Sequence, residues 1–186
     1  MTNETGNARI NESDFVRLTA PAKLEIERIL PASPERVWEY LVDPELRKQW
    51  FCAGETGTQP GEPFVMDFDH SRLSTEKPPA DMDCGDPITM QGTILTFEPP
   101  KVLSYNWPEE DGSGTIVTIR LEAEGENTRL HLSHERLENP EFKKGASAGW
   151  HAHLDLLLDL IREGHARDFW LHFATVKEEY NSRISE

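Results

Sequence analysis

The sequence between Gly145 and Gly164 has the apolar period of a long amphipathic helix and constrains the fold more than any other stretch. At roughly 100° per residue, one narrow face of this helix carries an apolar series, namely Ala146, Trp150, Leu154, Leu157 and Ile161. Asp155, Asp159 and Arg162 lie on the opposite face. Gly164 suits the left-handed conformation that ends many helices. Strand-like segments precede this helix, so we expect it to lie across the sheet that they form.

Apolar and polar residues alternate along six segments before the helix, which is typical of antiparallel strands with one buried face. The predicted strands are Lys23 to Leu30, Glu62 to Asp69, Ile88 to Glu98, Lys101 to Trp107, Gly114 to Glu122 and Thr128 to Glu135. Residues 108–112 and 124–127 are predicted turns between successive strands. Short turns between sequential strands predict a meander whose apolar face is covered by the long helix.

Further helices are predicted on both sides of the strand region. Ser33 is a suitable N-cap for a helix whose first residue is Pro34, and Asp43 repeats this start signal for a second short helix. After the long helix, residues 165–182 carry an apolar series at helical spacing: Phe169, Phe173, Val176 and Tyr180. This last helix is expected to dock against Leu156 and Leu160 on the flank of the long helix, with Trp170 and Leu171 exposed.

The chain is predicted to have three parts. Residues 1–21 form a polar tail, residues 22–164 form one α+β domain, and residues 165–186 add a helix that packs on the domain or at a homodimer interface. The polar insert at residues 70–86 is either an ordered lid or a disordered loop, and its length and prolines favour the loop.

Composition limits the possible partners. The net charge of −15 disfavours nonspecific binding to nucleic acid or to anionic lipid. No apolar run reaches the roughly 20 residues of a membrane span, and the first residues do not have the pattern of a signal peptide, so we expect a cytoplasmic protein without membrane insertion. Cys52 and Cys84 form no disulfide framework or metal pattern and are predicted to be free thiols.

Several motifs, taken in their order and spacing, resemble one known family. They are Ala32 to Leu46 (Ala-Ser-Pro-Glu-Arg-Val-Trp-Glu-Tyr-Leu-Val-Asp-Pro-Glu-Leu) with Trp50, Gly92-Thr-Ile, Pro100 to Trp107, Thr128 to His134, and Gly149-Trp150. Together they resemble the family of homologues of the activator of the heat-shock-protein-90 ATPase, in the START-like (SRPBCC) superfamily. The resemblance covers about residues 24–164. The insert at 70–86 and the helix after Gly164 depart from it.

This resemblance implies a helix-grip fold, an α+β architecture in which a curved antiparallel sheet of about six strands wraps around a long C-terminal helix. Related proteins enclose a cavity between sheet and helix, and some branches bind lipids, hormones or polyketides or cyclise polyketides. The eukaryotic namesake stimulates a chaperone ATPase. These activities are expectations for this chain, as is a chaperone partner.

The candidate ligand-binding residues are the aromatic and neighbouring side chains expected between sheet and helix. They are Trp38, Trp50, Phe64, Met66, Phe68, Tyr105, Trp107, His134, Trp150, His153, Leu154 and Leu157. The same side chains could instead fill a solid core, because aromatic residues bury a large area in any domain. We favour a cavity, since a strongly curved sheet crossed by one helix is difficult to fill.

His134 shares a strand face with Leu130 and Leu132 and should point towards the long helix. There it could orient a ligand or carry a proton, or it could be a hydrogen-bonded core histidine. His153 and Tyr105 are further polar candidates, and His134 with Tyr105 would suit an acid–base reaction.

The remaining histidines do not predict a metal site. His151 and His153 are two residues apart on a helix, so their side chains diverge by roughly 200°. His131 and His134 are three apart on a strand and face opposite sides of the sheet. No acidic or histidine partner at ligand spacing accompanies the other three histidines, His70, His165 and His172. The chain also has no nucleophile motif, phosphate loop or dinucleotide fingerprint, so no cofactor is predicted.

Three functions therefore remain open. The first is noncatalytic binding of a small apolar or amphipathic molecule. The second is a protein-interaction module that regulates a chaperone ATPase. The third is a cyclase- or hydrolase-like enzyme that uses His134 and Tyr105.

Overall fold

A computed structural model describes residues 14–79, 87–108 and 114–183 of the chain. It contains one antiparallel sheet of seven strands in the order β1-β2-β7-β6-β5-β4-β3. The strands are β1 (Arg17–Ala20), β2 (Lys23–Leu30), β3 (Pro63–Phe68), β4 (Ile88–Glu98), β5 (Val102–Trp107), β6 (Thr115–Glu124) and β7 (Asn127–Glu135). Sequential strands from β3 to β7 pair as a meander, and β2 joins at β7.

The described α-helices are α1 (Pro34–Val42), α2 (Pro44–Arg47), α3 (Pro140–Glu163) and α4 (Phe169–Arg183). The predicted helix-grip α+β fold is confirmed, with seven strands instead of about six. The additional strand is β1, which lies in the segment predicted to be a polar tail. Its residues are exposed, so backbone pairing with β2 forms this strand without a buried side-chain face that a sequence pattern would reveal.

The first two helices start where their capping residues predict. The Ser33 hydroxyl accepts a hydrogen bond from the Arg36 amide, and Pro34 occupies the first helical turn, where its missing N–H is not needed. Asp43 ends α1 and its carboxylate accepts from the Glu45 amide at 2.8 Å, which starts α2.

The long helix α3 begins five residues before the expected Gly145. The Asn139 carboxamide oxygen accepts from the backbone amides of Glu141 and Phe142 and caps the helix. The two lysines and the glycine that follow interrupt the apolar period, which is why the first turn is not evident in the sequence. The helix ends at Gly164, whose φ of 78° is left-handed, as predicted.

Both faces of α3 are covered, in contrast to the expectation from its sequence. Leu154 and Leu157 are fully buried, as expected for the face towards the sheet. However, Asp155 and Asp159, expected on the open face, are only 8% and 7% exposed. The helix α4 packs alongside α3, and cationic side chains from elsewhere in the chain pair with both carboxylates, so this polar face is buried as well.

The helix α4 docks through its predicted apolar series, of which Phe169, Phe173, Val176 and Tyr180 are all buried. The expectation that Trp170 is exposed was wrong: only 4% of it is accessible, whereas Leu171 is 61% exposed. The difference arises because the indole packs against Phe169 and Phe173 in the same helix.

The N-terminal residues that the structure describes also join this packing. Phe15 is buried, and its ring contacts those of His151 and Tyr180. The backbone amide of Val16 donates to the Tyr180 hydroxyl at 2.7 Å. Three predicted segments lie outside the described residues: the first part of the tail, residues 80–86 of the insert with Cys84, and the tip of the 108–112 turn. No described helix is long and apolar enough to cross a membrane.

Candidate ligand-binding cavity

A cavity of about 430 Å³ lies between the N-terminal half of α3, the β3–β5 side of the sheet and the start of α4. This volume is within the range of about 300–1,000 Å³ that is usual for small-molecule sites. Its walls are mostly aromatic and apolar. The lining residues are Phe51, Phe68, His70, Ile88, Met90, Trp107, His134, Glu141, Phe142, Gly145, Ala146, Gly149, Trp150, His153, Phe169, Trp170 and Phe173.

Five of the twelve candidate residues meet at this cavity, and they come from both the sheet and the long helix. They are Phe68 on β3, Trp107 on β5, His134 on β7, and Trp150 and His153 on α3. Tight aromatic contacts join them to one wall: the Trp150 ring stacks on Phe51 at 5.0 Å between centroids, and Phe68 lies 5.6 Å from Trp107.

The other seven candidates pack in the core and do not line the cavity. They are Trp38, Trp50, Phe64, Met66, Tyr105, Leu154 and Leu157. The Tyr105 ring stacks on Phe64 at 4.0 Å, and Trp38 packs edge-on against Phe97. Side chains thus pack the middle of the helix–sheet space, and this cavity lies at one end of it, which period analysis alone does not distinguish.

The cavity also uses residues that the sequence analysis missed. Phe51 follows directly on the candidate Trp50, but no strand or helix pattern covers it. The helix α4 supplies Phe169, Trp170 and Phe173, which had been assigned to packing against α3 or to an exposed face. Their aromatic content was the available signal. Their position depends on how α4 folds back, which no local pattern records.

A polar clamp holds the start of α4 against the wall. The amide of Phe169 donates to the Leu73 carbonyl at 3.0 Å, and the amide of Thr75 donates to the Asp168 carboxylate at 2.8 Å. Loss of solvent alone would raise the pKa of Asp168, but hydrogen bonds, chiefly from Ser74 and Thr75, lower it to about 2. The Asp168 carboxylate therefore stays ionised near neutral pH. The clamp orders at least residues 73–75 of the predicted loop.

His134 is a buried, fully hydrogen-bonded wall residue. The indole N–H of Trp150 donates to His134 Nδ1 at 3.1 Å, and because an indole can only donate, Nδ1 must carry the lone pair. The proton is then on Nε2, which donates to the Thr115 hydroxyl at 2.7 Å. Burial lowers the pKa of His134 to about 3, so the ring is neutral. It positions Trp150 and has no nitrogen left for proton transfer.

His153 differs from His134 in its hydrogen bonding. Its Nδ1 lies 2.7 Å from the Trp50 carbonyl oxygen, and since a carbonyl only accepts, Nδ1 carries the proton. Nε2 then carries a lone pair on a ring that lines the cavity. Burial, with a smaller contribution from His70, lowers the pKa of His153 to about 3. His153 is thus a neutral hydrogen-bond acceptor.

A separate polar cluster lies on the far side of α3. His172 Nε2 is 2.7 Å from Asp155 Oδ2, and His151 Nε2 is 3.4 Å from the same oxygen. The expectation that His172 has no acidic partner was therefore wrong, because α4 folds back along α3 and brings it to Asp155. These three residues have ligand atoms within 4.8 Å of one another, a spacing that could hold a metal ion.

The charges around this cluster favour a structural network over a metal site. Arg28 Nε donates to Asp155 Oδ1 at 2.8 Å, and Arg167 Nη1 lies 3.8 Å from Oδ2. Burial alone would raise the pKa of Asp155, but hydrogen bonds from His151 and His172 and the charge of Arg28 keep it below its ordinary value. Two guanidinium groups already balance the carboxylates, so a divalent cation would meet like charge here. The absence of a metal site stays a prediction.

A curved antiparallel sheet wrapped around one long helix, with a cavity at one end of their interface, defines a helix-grip protein of the START-like superfamily. Residues 31–162 match the family model described as activator of Hsp90 ATPase homolog 1-like protein. The chain belongs to this family.

Solved structures share this fold. The solution structure of a Bordetella parapertussis protein is 36% identical, with a TM-score of 0.76 over 91% of this chain and 90% of that one. The crystal structure of CalU16 from Micromonospora echinospora is 22% identical, with a TM-score of 0.64 over 90% and 93% of the two chains. The solution structure of the Aha1 dimer from Colwellia psychrerythraea is 17% identical, with a TM-score of 0.60 over 76% and 97%. A search of curated protein sequences found no match.

Proposed function

We propose that this protein binds a small apolar or amphipathic molecule in the cavity between α3, the sheet and α4, without catalysing its conversion. The observation that carries the proposal is the combination of about 430 Å³ of space with a wall of aromatic side chains and few polar groups.

The polar groups near the cavity support binding more than catalysis. Both nitrogens of His134 are already hydrogen-bonded, and low pKa values of about 3 make His134 and His153 weak bases. Tyr105, the expected partner of His134 in an acid–base pair, does not line the cavity. Burial raises the pKa of Cys52 to about 12, so its thiol is not an activated nucleophile.

Gly149 offers a direct test because it lines the cavity from within α3, and a Cβ added there meets no atom within 4 Å. Gly149→Phe would place a ring in the hollow, whereas the matched control Gly149→Ala adds one methyl group. Both variants remove a glycine, which destabilises a helix interior by about 1 kcal/mol relative to alanine. Both should therefore remain folded, as checked by circular dichroism.

Binding would be measured by isothermal titration calorimetry with N-phenyl-1-naphthylamine, a neutral apolar probe, and by native mass spectrometry for molecules retained from expression. Wild type and Gly149→Ala should bind the probe, and Gly149→Phe should not. Equal binding by Gly149→Phe and Gly149→Ala, or no binding by wild type, would contradict the proposal.

We also propose that the chain forms a homodimer through α4. A chaperone ATPase is a second candidate partner. On α4 the exposed Leu171 is the apolar residue that could contribute to such contacts, while Trp170 is buried. Sedimentation of the full chain and of Leu171→Glu should show a dimer that the substitution weakens. If a chaperone ATPase is a partner, addition of wild type or of Leu171→Glu should change its rate of ATP hydrolysis. An unchanged rate would dismiss this candidate.

A further inference from the structure

The charge of the cavity wall gives information on the ligand beyond its apolar character. Among the described lining residues, Glu141 is the one aspartate, glutamate, lysine or arginine, and it lies exposed in the first turn of α3. Residues 80–86 and 109–113, outside the described part of the chain, contain no lysine or arginine in their sequence. Among the described lining residues, a ligand anion would therefore meet a carboxylate and no lysine or arginine.

The backbone at the start of α3 does not replace such a cation. Helix N-termini often bind anions through free amides. Here the amides of Glu141 and Phe142 already donate to the Asn139 side chain. The ammonium of the nearby Lys143 donates to the Pro21 carbonyl at 2.6 Å, and Lys143 is not a lining residue. An anionic headgroup would thus lose its hydration without gaining a lysine, an arginine or these helix amides as partners.

Of the two lining histidines whose proton positions the hydrogen bonds define, His153 is the one that leaves a ring nitrogen for a ligand. His134 donates its Nε2 proton to the Thr115 hydroxyl, and its Nδ1 lone pair accepts from the indole N–H of Trp150. His153 has its proton turned to the Trp50 carbonyl, which leaves the Nε2 lone pair to a ligand that donates a hydrogen bond. The surrounding walls are flat rings: Phe51 lies edge-on to His153, and Phe169 stacks on it at 4.5 Å.

We propose that the cavity takes an electrically neutral, planar aromatic molecule carrying a hydroxyl that donates to His153 Nε2, and that it discriminates against carboxylates and phosphates. This inference rests on the proposed ligand-binding function. A phenol or enol on a fused-ring skeleton has the required chemistry, because its ring face fits the aromatic walls and its O–H meets the imidazole lone pair.

Three probes of one shape separate these features: 2-naphthol, 2-methoxynaphthalene and 2-naphthoate. Titration calorimetry at pH 8 and low salt keeps the phenol protonated and free imidazole neutral. Wild type should bind 2-naphthol about fivefold more tightly than the methyl ether, the usual effect of one hydrogen bond. It should bind 2-naphthoate at least about tenfold more weakly than 2-naphthol.

Two variants test the assigned groups. His153→Asn keeps a donor near the Nδ1 position and removes Nε2, so it should abolish the preference for 2-naphthol over its ether. Glu141→Lys should strengthen 2-naphthoate binding at least about fivefold. The matched control Glu138→Lys makes the same charge change at an exposed residue that does not line the cavity, and should have a smaller effect.

The possible outcomes separate this inference from the function on which it rests. Equal binding of all three probes, or tighter binding of 2-naphthoate, would overturn the inference and leave ligand binding intact. An undiminished preference for 2-naphthol in folded His153→Asn would overturn the role of Nε2. Binding of none of the probes, with none of N-phenyl-1-naphthylamine, would remove both proposals.

Discussion

The two neutral histidines of the cavity wall should make the protein sensitive to mild acid. His134 is 1% exposed and His153 is 5% exposed, and burial lowers the pKa of each to about 3. In the unfolded chain a histidine has a pKa of about 6.5. Below pH 6.5 the unfolded chain therefore binds protons that the folded chain does not, and folding is disfavoured.

The magnitude follows from the difference between the two pKa values. Each pKa unit corresponds to about 1.4 kcal/mol, so the full stability is present above about pH 6.5 and is lost progressively towards pH 3. Between pH 7 and pH 5 each of these histidines should cost about 2 kcal/mol of unfolding free energy. The pKa of His151 is also lowered, first by burial, which acts in the same direction.

The assay is urea unfolding followed by circular dichroism at intervals between pH 5 and pH 7. His134→Asn should cost about 1 kcal/mol at pH 7 through a lost hydrogen bond. It should also reduce the slope of stability against pH by about 1.4 kcal/mol per unit near pH 5. His165→Asn removes an exposed imidazole and should leave the slope as in wild type. An unchanged slope in His134→Asn would refute the assignment of a buried, neutral His134.

Two further predictions concern other buried groups. Arg28→Met and Asp155→Asn should each cost about 3–5 kcal/mol in urea unfolding because each breaks a buried ion pair, and the double variant should cost clearly less than the two together; additive costs would mean that the pair does not interact. Cys52 should be alkylated by iodoacetamide, as followed by mass spectrometry, only under unfolding conditions, since it is 2% exposed and its pKa is raised to about 12; rapid labelling of the native protein would contradict its burial.

The sequence was most informative where local rules decide the structure. Ser33 and Asp43 cap the two short helices as predicted, and β4 has the predicted bounds from Ile88 to Glu98. In these segments capping chemistry and alternation act within a few residues of one another. Gly164 ends α3 for the same reason, since glycine adopts the left-handed conformation at little cost.

The sequence was least informative where two distant segments meet. Asp155 has the spacing of an exposed helical residue, yet Arg28 lies 127 positions away in sequence and neutralises it in the core. Trp170 was assigned to an exposed face, but besides its contacts within α4 its ring lies 5.0 Å from that of His70, which belongs to a distant segment. The cavity depends on the same long-range docking. The five candidates that line it came from the sheet–helix interface, whereas its other lining residues come from α4, Phe51 and the rim.

Three of the five tryptophans, Trp107, Trp150 and Trp170, border the same hollow. Their emission would therefore report a ligand bound there, because a chromophore that absorbs in the near ultraviolet would accept energy from all three indoles at once. Candidate ligands can therefore be screened by tryptophan fluorescence without an added label.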